Sequence, residues 1–445
     1  MIKTKYRTIK TLIPVPQSRY LLNKLAKYEP RSVNCQPPLI WESAKDFQVY
    51  DPYGNIWLDW SSGVLVANAG HAPEEIKQAI NKTVKKGLLF NYCFPSKPRI
   101  ELAEELVKIT PPSLNKAYIL TTGSETIEAA IKLARTYSMR KWSKRKIGII
   151  SFKNAFHGRT MGAQMVGGFD AQKEWIVNLD KDMHQVPYPD GFRFKDTTFN
   201  TFLKNVNNIS NNPKNYIAAV LIEPYLGGGA SFAPKKYVQE LRQWCNDNNV
   251  LLIFDEIQSS FGRTGKLFAF EHFNIVPDII CCGKGISGAL PLSAVIGGSE
   301  IMDLYGPGEM TSTHGGNPVC CASALANLRL IKRKKLVDRA QINGEFLFKG
   351  LQKLAKKYSS IIGALHGKGL VYGLHIVKSK SSEPDGELAQ KIVYRCFENG
   401  LLMFSPVGSG NATIKICPPL TIIQEAITEG LDVLDQAFGT VVKNQ

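Results

Sequence analysis

Between Ala117 and Gly298 the chain repeats one pattern: a short, near-continuous aliphatic run, a turn or polar cluster, then often a stretch of helical period. The runs are Ala117–Leu120, Ile147–Ile150, Ala218–Ile222, Val250–Phe254, Asp278–Cys282 and Leu292–Ile296. Strands that are apolar on both faces have to be covered on both faces, so the alternation predicts an α/β domain with a parallel sheet between helices. Ile127, Ala130, Ile131 and Ala134 recur at helical spacing after Ser124–Glu125, which starts a helix there. Upstream, Phe47–Asp59 alternates and breaks at Asp51–Pro52–Tyr53–Gly54, a hairpin signal. Beyond Leu330 come a charged helical stretch, strand-like pieces around Val371–Ile376 and Thr413–Ile416, and a terminal helix. The plan is a large domain over residues 73–333, with a smaller α+β domain built from both chain ends. Residues 1–72 supply an arm and part of that small domain, and residues 334–445 supply the rest.

The chain has 445 residues, 44% of them hydrophobic, which is enough apolar material for a sizeable core and excludes a disordered chain. No apolar run approaches the roughly 18 residues needed to span a bilayer. Nine cysteines lie scattered, without a Cys-x-x-Cys pair, as expected of buried thiols in a reducing, cytoplasmic setting; no disulfide framework or metal site is expected. Lysine and arginine number 55 against 38 acids, a formal +17. These basic residues fall in short separate runs, Arg140–Lys146, Lys332–Lys335, and Lys353 with Lys356 and Lys357, without a nucleic-acid-binding motif. They read as solvated helix faces whose field draws anionic small molecules. The first 28 residues hold seven Lys or Arg and no acid, the mark of a transit peptide, but Pro14 and Pro16 interrupt an amphipathic helix and favour an ordered arm.

Ligands of open α/β sheets sit at the carboxyl ends of the strands, so the residues just after each run matter most. After Leu120 comes Thr121–Thr122–Gly123–Ser124–Glu125, leading into a helix. Such a turn exposes N–H groups that hold a phosphate, and it also serves ordinary helix capping. After Phe254 come Asp255 and Glu256, adjacent carboxylates that are costly to bury without a cationic partner; a ring nitrogen or an acidic turn at a sheet edge both account for them. After Cys282 comes Gly283–Lys284–Gly285. A desolvated lysine is a nucleophile able to form a Schiff base, though buried lysines also sit in plain ion pairs. Phosphate turn, carboxylate and lysine together fit pyridoxal 5′-phosphate.

In combination these motifs resemble the class III pyridoxal-phosphate aminotransferases, the branch with 4-aminobutyrate and ornithine transaminases. The resemblance runs from about Asp51 to Leu420. It rests on Thr122–Glu125, Phe156–Thr160, Ile222–Pro224, Asp255–Gln258 followed by Phe261–Gly265, Gly283–Gly285, Ser312–Pro318 and Pro418–Leu420. It implies fold type I, with a mostly parallel seven-stranded sheet in the large domain. It further implies that Lys284 forms the imine and shuttles the proton, Asp255 holds the pyridinium, and Gln258 reaches the phenolic oxygen. Phe156 and Ile257 cover the two ring faces. Gly123 and Ser124 bind phosphate with Thr313 of the partner subunit, which calls for a homodimer. His157 supports the turn, Glu223 tunes the cofactor or satisfies a backbone group, and Arg263 makes a structural ion pair. Phe156 and Ile257 also have a plain reading as core residues.

Two departures bear on the substrate. Glutamate-using members carry a second Glu after Glu-Pro, paired with an Arg before Pro-Pro-Leu. Here those positions read Gly228 and Lys415, so the switch lacks its acid and its base is a point charge. Arg159 is the best carboxylate anchor, and apolar Ser62–Val66, with Val64, lines the substrate entrance. The expected reaction moves an amino group from an amino acid or ω-amine to a 2-oxo acid; the alternative is an amino-acid or lactam racemase of the same family. Gly367-x-Gly369-x-x-x-Gly373 prompts a nicotinamide dehydrogenase, but its spacing is wrong. No nucleic acid or membrane partner is expected.

Overall fold

The computed structural model describes residues 1–443. A seven-stranded sheet forms its centre: β1 (Lys116–Leu120), β2 (Gly148–Phe152), β3 (Met183–Val186), β4 (Ile217–Ile222), β5 (Leu251–Asp255), β6 (Ile279–Cys282) and β7 (Ser293–Gly297). The spatial order is β1-β7-β6-β5-β4-β2-β3, and β7 is the strand that runs antiparallel to its neighbours. Six of the seven coincide with the aliphatic runs of the sequence. The seventh, β3, reads Met-His-Gln-Val and lies at an edge, so it is half-exposed and lacks the continuous apolar signature.

Helix α1 (Gly123–Lys141) follows β1 directly. Thr122 accepts a hydrogen bond from the Glu125 N–H, and the Glu125 carboxylate accepts from the Thr122 N–H at 2.7 Å, a reciprocal cap that fixes where the helix begins. Ile127, Ala130, Ile131 and Ala134 are buried on its inner face, as their spacing predicts. The hairpin at Asp51–Gly54 forms between Gln48–Tyr50 and Ile56–Asp59, its turn held by Asp51 Oδ1 accepting from the Tyr53 and Asn55 N–H groups.

Both chain ends meet away from the central sheet. Ile56–Asp59 pairs in parallel with Leu401–Leu402, and the N-terminal strands Ile2–Lys3 and Thr8–Ile9 extend that sheet. A second antiparallel sheet is made of β8 (Ile362–Lys368), β9 (Val371–Ile376) and β10 (Thr413–Ile416). Gly367 and Gly369 shape the turn between β8 and β9 instead of a strand-to-helix phosphate loop, which removes the dehydrogenase reading. Helix α2 (Leu336–Lys357) and the terminal helix α3 (Gln424–Lys443) cover this part. Among the described residues no helix is long and apolar enough to cross a membrane.

Four sequence expectations need correction in detail. A helix, Arg19–Tyr28, forms in the N-terminal arm, beginning just after both prolines. Lys146 is not a solvated charge: it is fully buried, donating to the carbonyls of Lys214 at 2.6 Å and Asn248 at 3.2 Å. Arg263 is fully buried and, among the described residues, has no ion-pair partner; it braces Leu370 O, Pro418 O, Ser62 Oγ and Asn68 Oδ1. Of the cysteines, six are buried, but Cys35 and Cys93 are exposed.

Candidate active site

Because β7 alone is reversed, the carboxyl ends of β1, β2, β4, β5 and β6 lie along one edge of the sheet, and the segments after them converge. They enclose a cavity of about 140 Å³ lined by Gly123, Ser124, Phe156, His157, Gly158, Glu223, Asp255, Ile257, Gln258 and Lys284. Nine sequence-predicted residues from five loops therefore meet at one place. Phe156, Gln258 and Lys284 also line a larger adjoining cavity of about 520 Å³, together with Val64, Arg159 and Lys415. Thr313 lies elsewhere: it is exposed on the surface of this chain and lines neither cavity.

At the floor of the small cavity Asp255 closes β5. Its Oδ2 lies 2.8 Å from His157 Nδ1 and its Oδ1 accepts the Ile257 N–H at 3.0 Å. Burial opposes a charge on His157, but the hydrogen bond and charge of Asp255 outweigh it and lift the imidazole above its ordinary value. His157 thus does more than support a turn; it orients the carboxylate. Glu223 accepts from the backbone N–H groups of Phe156 and Gly227, both at 3.0 Å, and burial pushes it up to about 7. Of its two expected roles, the backbone role is observed.

Lys284 follows β6 in the left-handed region at φ +41°, a costly conformation for a side chain other than glycine and one that neighbouring packing must hold. A Cβ at Gly285 would come within 2.3 Å of Asn68 Nδ2, so the loop is pressed against its surroundings on that side. Burial lowers the Lys284 ammonium below the ordinary lysine value, with Asp255 and Glu223 pulling the other way. Its nitrogen is thereby easier to deprotonate, as a nucleophile requires.

Ile257 packs over Gly123 and Gly283: a Cβ at either would meet its side chain at 3.0 and 3.2 Å. At the helix end, Gly158 has φ +136°, and a Cβ there would fall 2.3 Å from Ser124 Oγ. Loop and helix N-terminus are thus in contact around a ready anion site. Replacing Gly158 by Ala is expected to weaken pyridoxal 5′-phosphate binding about tenfold, given a strain of roughly 1–3 kcal/mol. Equilibrium dialysis checks this; unchanged affinity would show that the turn does not hold the phosphate.

Helix N-terminus, aliphatic and aromatic walls, buried carboxylate and free lysine match the phosphate, flat ring, cationic nitrogen and aldehyde of pyridoxal 5′-phosphate. The residues therefore fit the cofactor. Sequence reasoning did not find the loop Gly408–Asn411 or Gly227, which also line the larger cavity. Small residues mark both as turns, but nothing local shows that they face each other.

Comparisons with known proteins agree. The family described as "Aminotransferase class-III" matches residues 29–438. The 4-aminobutyrate aminotransferase of Mycobacterium leprae is 34% identical, over 97% of this chain and 98% of its own. The leucine/methionine racemase of Thermococcus litoralis is also 34% identical, over 91% of each chain. Among solved structures, an amine transaminase from an uncultivated Pseudomonas species, in its PLP-bound internal aldimine form, superposes with a TM-score of 0.84 and 27% identity, covering 90% of this chain and 95% of that one.

Proposed function

This chain belongs to the class III aminotransferases, pyridoxal-phosphate enzymes of fold type I, and on that premise we propose how its residues divide the work. The observation that carries the reading is Lys284, which lines both cavities and would thus face cofactor on one side and substrate on the other. Bound in the smaller cavity, the cofactor supplies an aldehyde that condenses with amines and a cationic ring that draws electrons from the carbon losing a proton. Lys284 holds the cofactor when substrate is absent. With substrate bound, its Nζ would be the base that takes up and gives back the substrate proton. Asp255, steadied by His157, keeps the ring nitrogen protonated. Phe156 and Ile257 would hold the ring between them, and Gln258 would hold its phenolic oxygen. Gly123 and Ser124 anchor the phosphate through backbone N–H groups and the helix dipole.

Arg159, Lys415 and Val64 receive the substrate, an amino acid or ω-amine giving its amino group to a 2-oxo acid. Thr313 completes the phosphate site of a second copy in a homodimer, a reading supported by its exposure and its absence from the linings of its own chain's cavities. The low share of exposed thiols supports a cytoplasmic enzyme. The test is a half-reaction: an amino donor added to the purified holoenzyme should convert the cofactor to its pyridoxamine form, and a 2-oxo acid should restore it. Inversion of a single amino acid without any keto acid, and without that conversion, would instead mark a racemase.

A further inference from the structure

On one wall of the larger cavity the backbone adopts a conformation that its residues disfavour. Ser62, Gly63, Val64 and Leu65 have φ values of +51°, +55°, +61° and +65°, four consecutive positions in the left-handed region. Glycine enters that region freely, but for a β-branched side chain such as Val64 it is an outlier, and left-handed residues normally occur singly. The Leu65 N–H donates to Ser61 O at 3.0 Å and the Val66 N–H to Ser62 O at 2.9 Å, which closes one left-handed turn. Crowding does not explain Gly63: a Cβ there would meet only His71 Cε1, at 3.8 Å. Val64 and Leu65 both line the cavity, so the strain lies on the wall of the proposed substrate site.

A buried polar network holds the turn at its base. Asp59, fully buried, ends the strand Ile56–Asp59. Its Oδ1 accepts from the Ser61 N–H at 2.7 Å and from the Ser61 hydroxyl at 2.6 Å. Ser61 Oγ in turn accepts the Gly63 N–H at 3.0 Å. Asp59 Oδ2 lies 2.6 Å from His71 Nε2, and backbone hydrogen bonds in both directions fix His71 against Asp46. The Ser62 hydroxyl donates to Cys417 O at 2.6 Å and accepts from Arg263, whose guanidinium also reaches Asn68 Oδ1 beyond the turn. Asp59 itself lines neither cavity; a single hydroxyl separates it from the strained backbone.

We propose that Asp59 is a positioning residue: through Ser61 it holds the turn Ser62–Leu65 left-handed, and so keeps Val64 on the wall that meets the substrate chain. The proposal rests on the aminotransferase reading and deepens it by naming the group that sets the shape of the substrate site. Without the link from Asp59 through Ser61, Gly63 and Val64 relax toward the backbone that valine prefers, and Val64 leaves the wall. Donor binding then weakens. Lys284 and Asp255 stand on other segments and keep their places, so the chemical step keeps its rate.

The test is the half-reaction of the holoenzyme with 4-aminobutyrate, 5-aminopentanoate and 6-aminohexanoate, followed as conversion of the bound cofactor. Asp59→Ala should raise the half-saturating donor concentration about tenfold, the size of one hydrogen bond to a charged group, with the maximal rate within about twofold of wild type. Asp59→Asn should restore it, because the amide oxygen still accepts from Ser61 and the amide nitrogen donates to His71 Nε2. Ser61→Ala is the milder variant should Asp59→Ala fail to fold, and it acts in the same direction. In a Val64→Ala background neither change should raise that concentration further, since the wall they hold is gone. A loss confined to the maximal rate, or equal effects with and without Val64, would overturn the proposal. Hydrogen exchange of the Leu65 and Val66 amides gives a readout free of turnover. Faster exchange in Ser61→Ala than in wild type is expected, and equal exchange overturns the role. If no donor reacts with any form, the aminotransferase reading fails for these donors, and the exchange still decides whether the network holds the turn.

Discussion

Replacing Lys284 by Ala is expected to abolish turnover, with a loss on the order of 10⁴-fold or more, since one side chain provides both the covalent tether and the proton relay. The surrounding fold should survive. Lys284 sits in a loop whose path is set by glycines at 283 and 285 and by the strand before it, and its side chain lines two cavities instead of a packed core. Steady-state rates and thermal unfolding together make the check. Loss of activity with a melting point within a few degrees of wild type is the expected pair of results. Retained activity above a hundredth of wild type would place the reacting amine elsewhere.

The second large effect is expected from Asp255→Asn. The amide keeps the size of the side chain and an oxygen for the Ile257 N–H, but it removes the charge facing His157 and the ring. Breaking a buried ionic pair by removing one partner costs about 3–5 kcal/mol. If that falls on the reacting complex, kcat/KM drops by roughly 10³-fold. A second signature comes from the sign of the titration. The His157 pKa is raised above its ordinary value in the folded protein, so the stability it lends with Asp255 is fully present below about pH 6.5. That contribution is lost as pH rises through the raised value. The melting-point deficit of Asp255→Asn should therefore be larger at pH 6 than at pH 9. Equal deficits would mean that the pair is not ionic.

Much of this arrangement was legible in the amino-acid order for a physical reason. Strands buried on both faces must be aliphatic throughout, so six of the seven announce themselves, and the residues after them are the ones a sheet edge presents to ligand. Strand β3 escaped because an edge strand has one neighbour and tolerates His and Gln. Lys146 and Arg263 escaped for another reason. Their burial depends on carbonyls that the fold brings together from distant segments, such as Lys214 with Asn248, or Leu370 with Pro418. Local sequence carries no sign of such partners. The same holds for Gly228 and Gly408: each reads as an ordinary turn glycine, and only their contact across the fold shows why neither bears a side chain.

The central claim is that the nitrogen of Lys284 carries the cofactor. Borohydride reduction of the purified holoenzyme, followed by proteolysis and peptide mass mapping, tests it most directly. The account predicts a pyridoxyl-phosphate mass increment on the peptide holding Lys284, and on that residue within it. An increment on any other lysine, or none on a protein that nonetheless transfers amino groups, would contradict it.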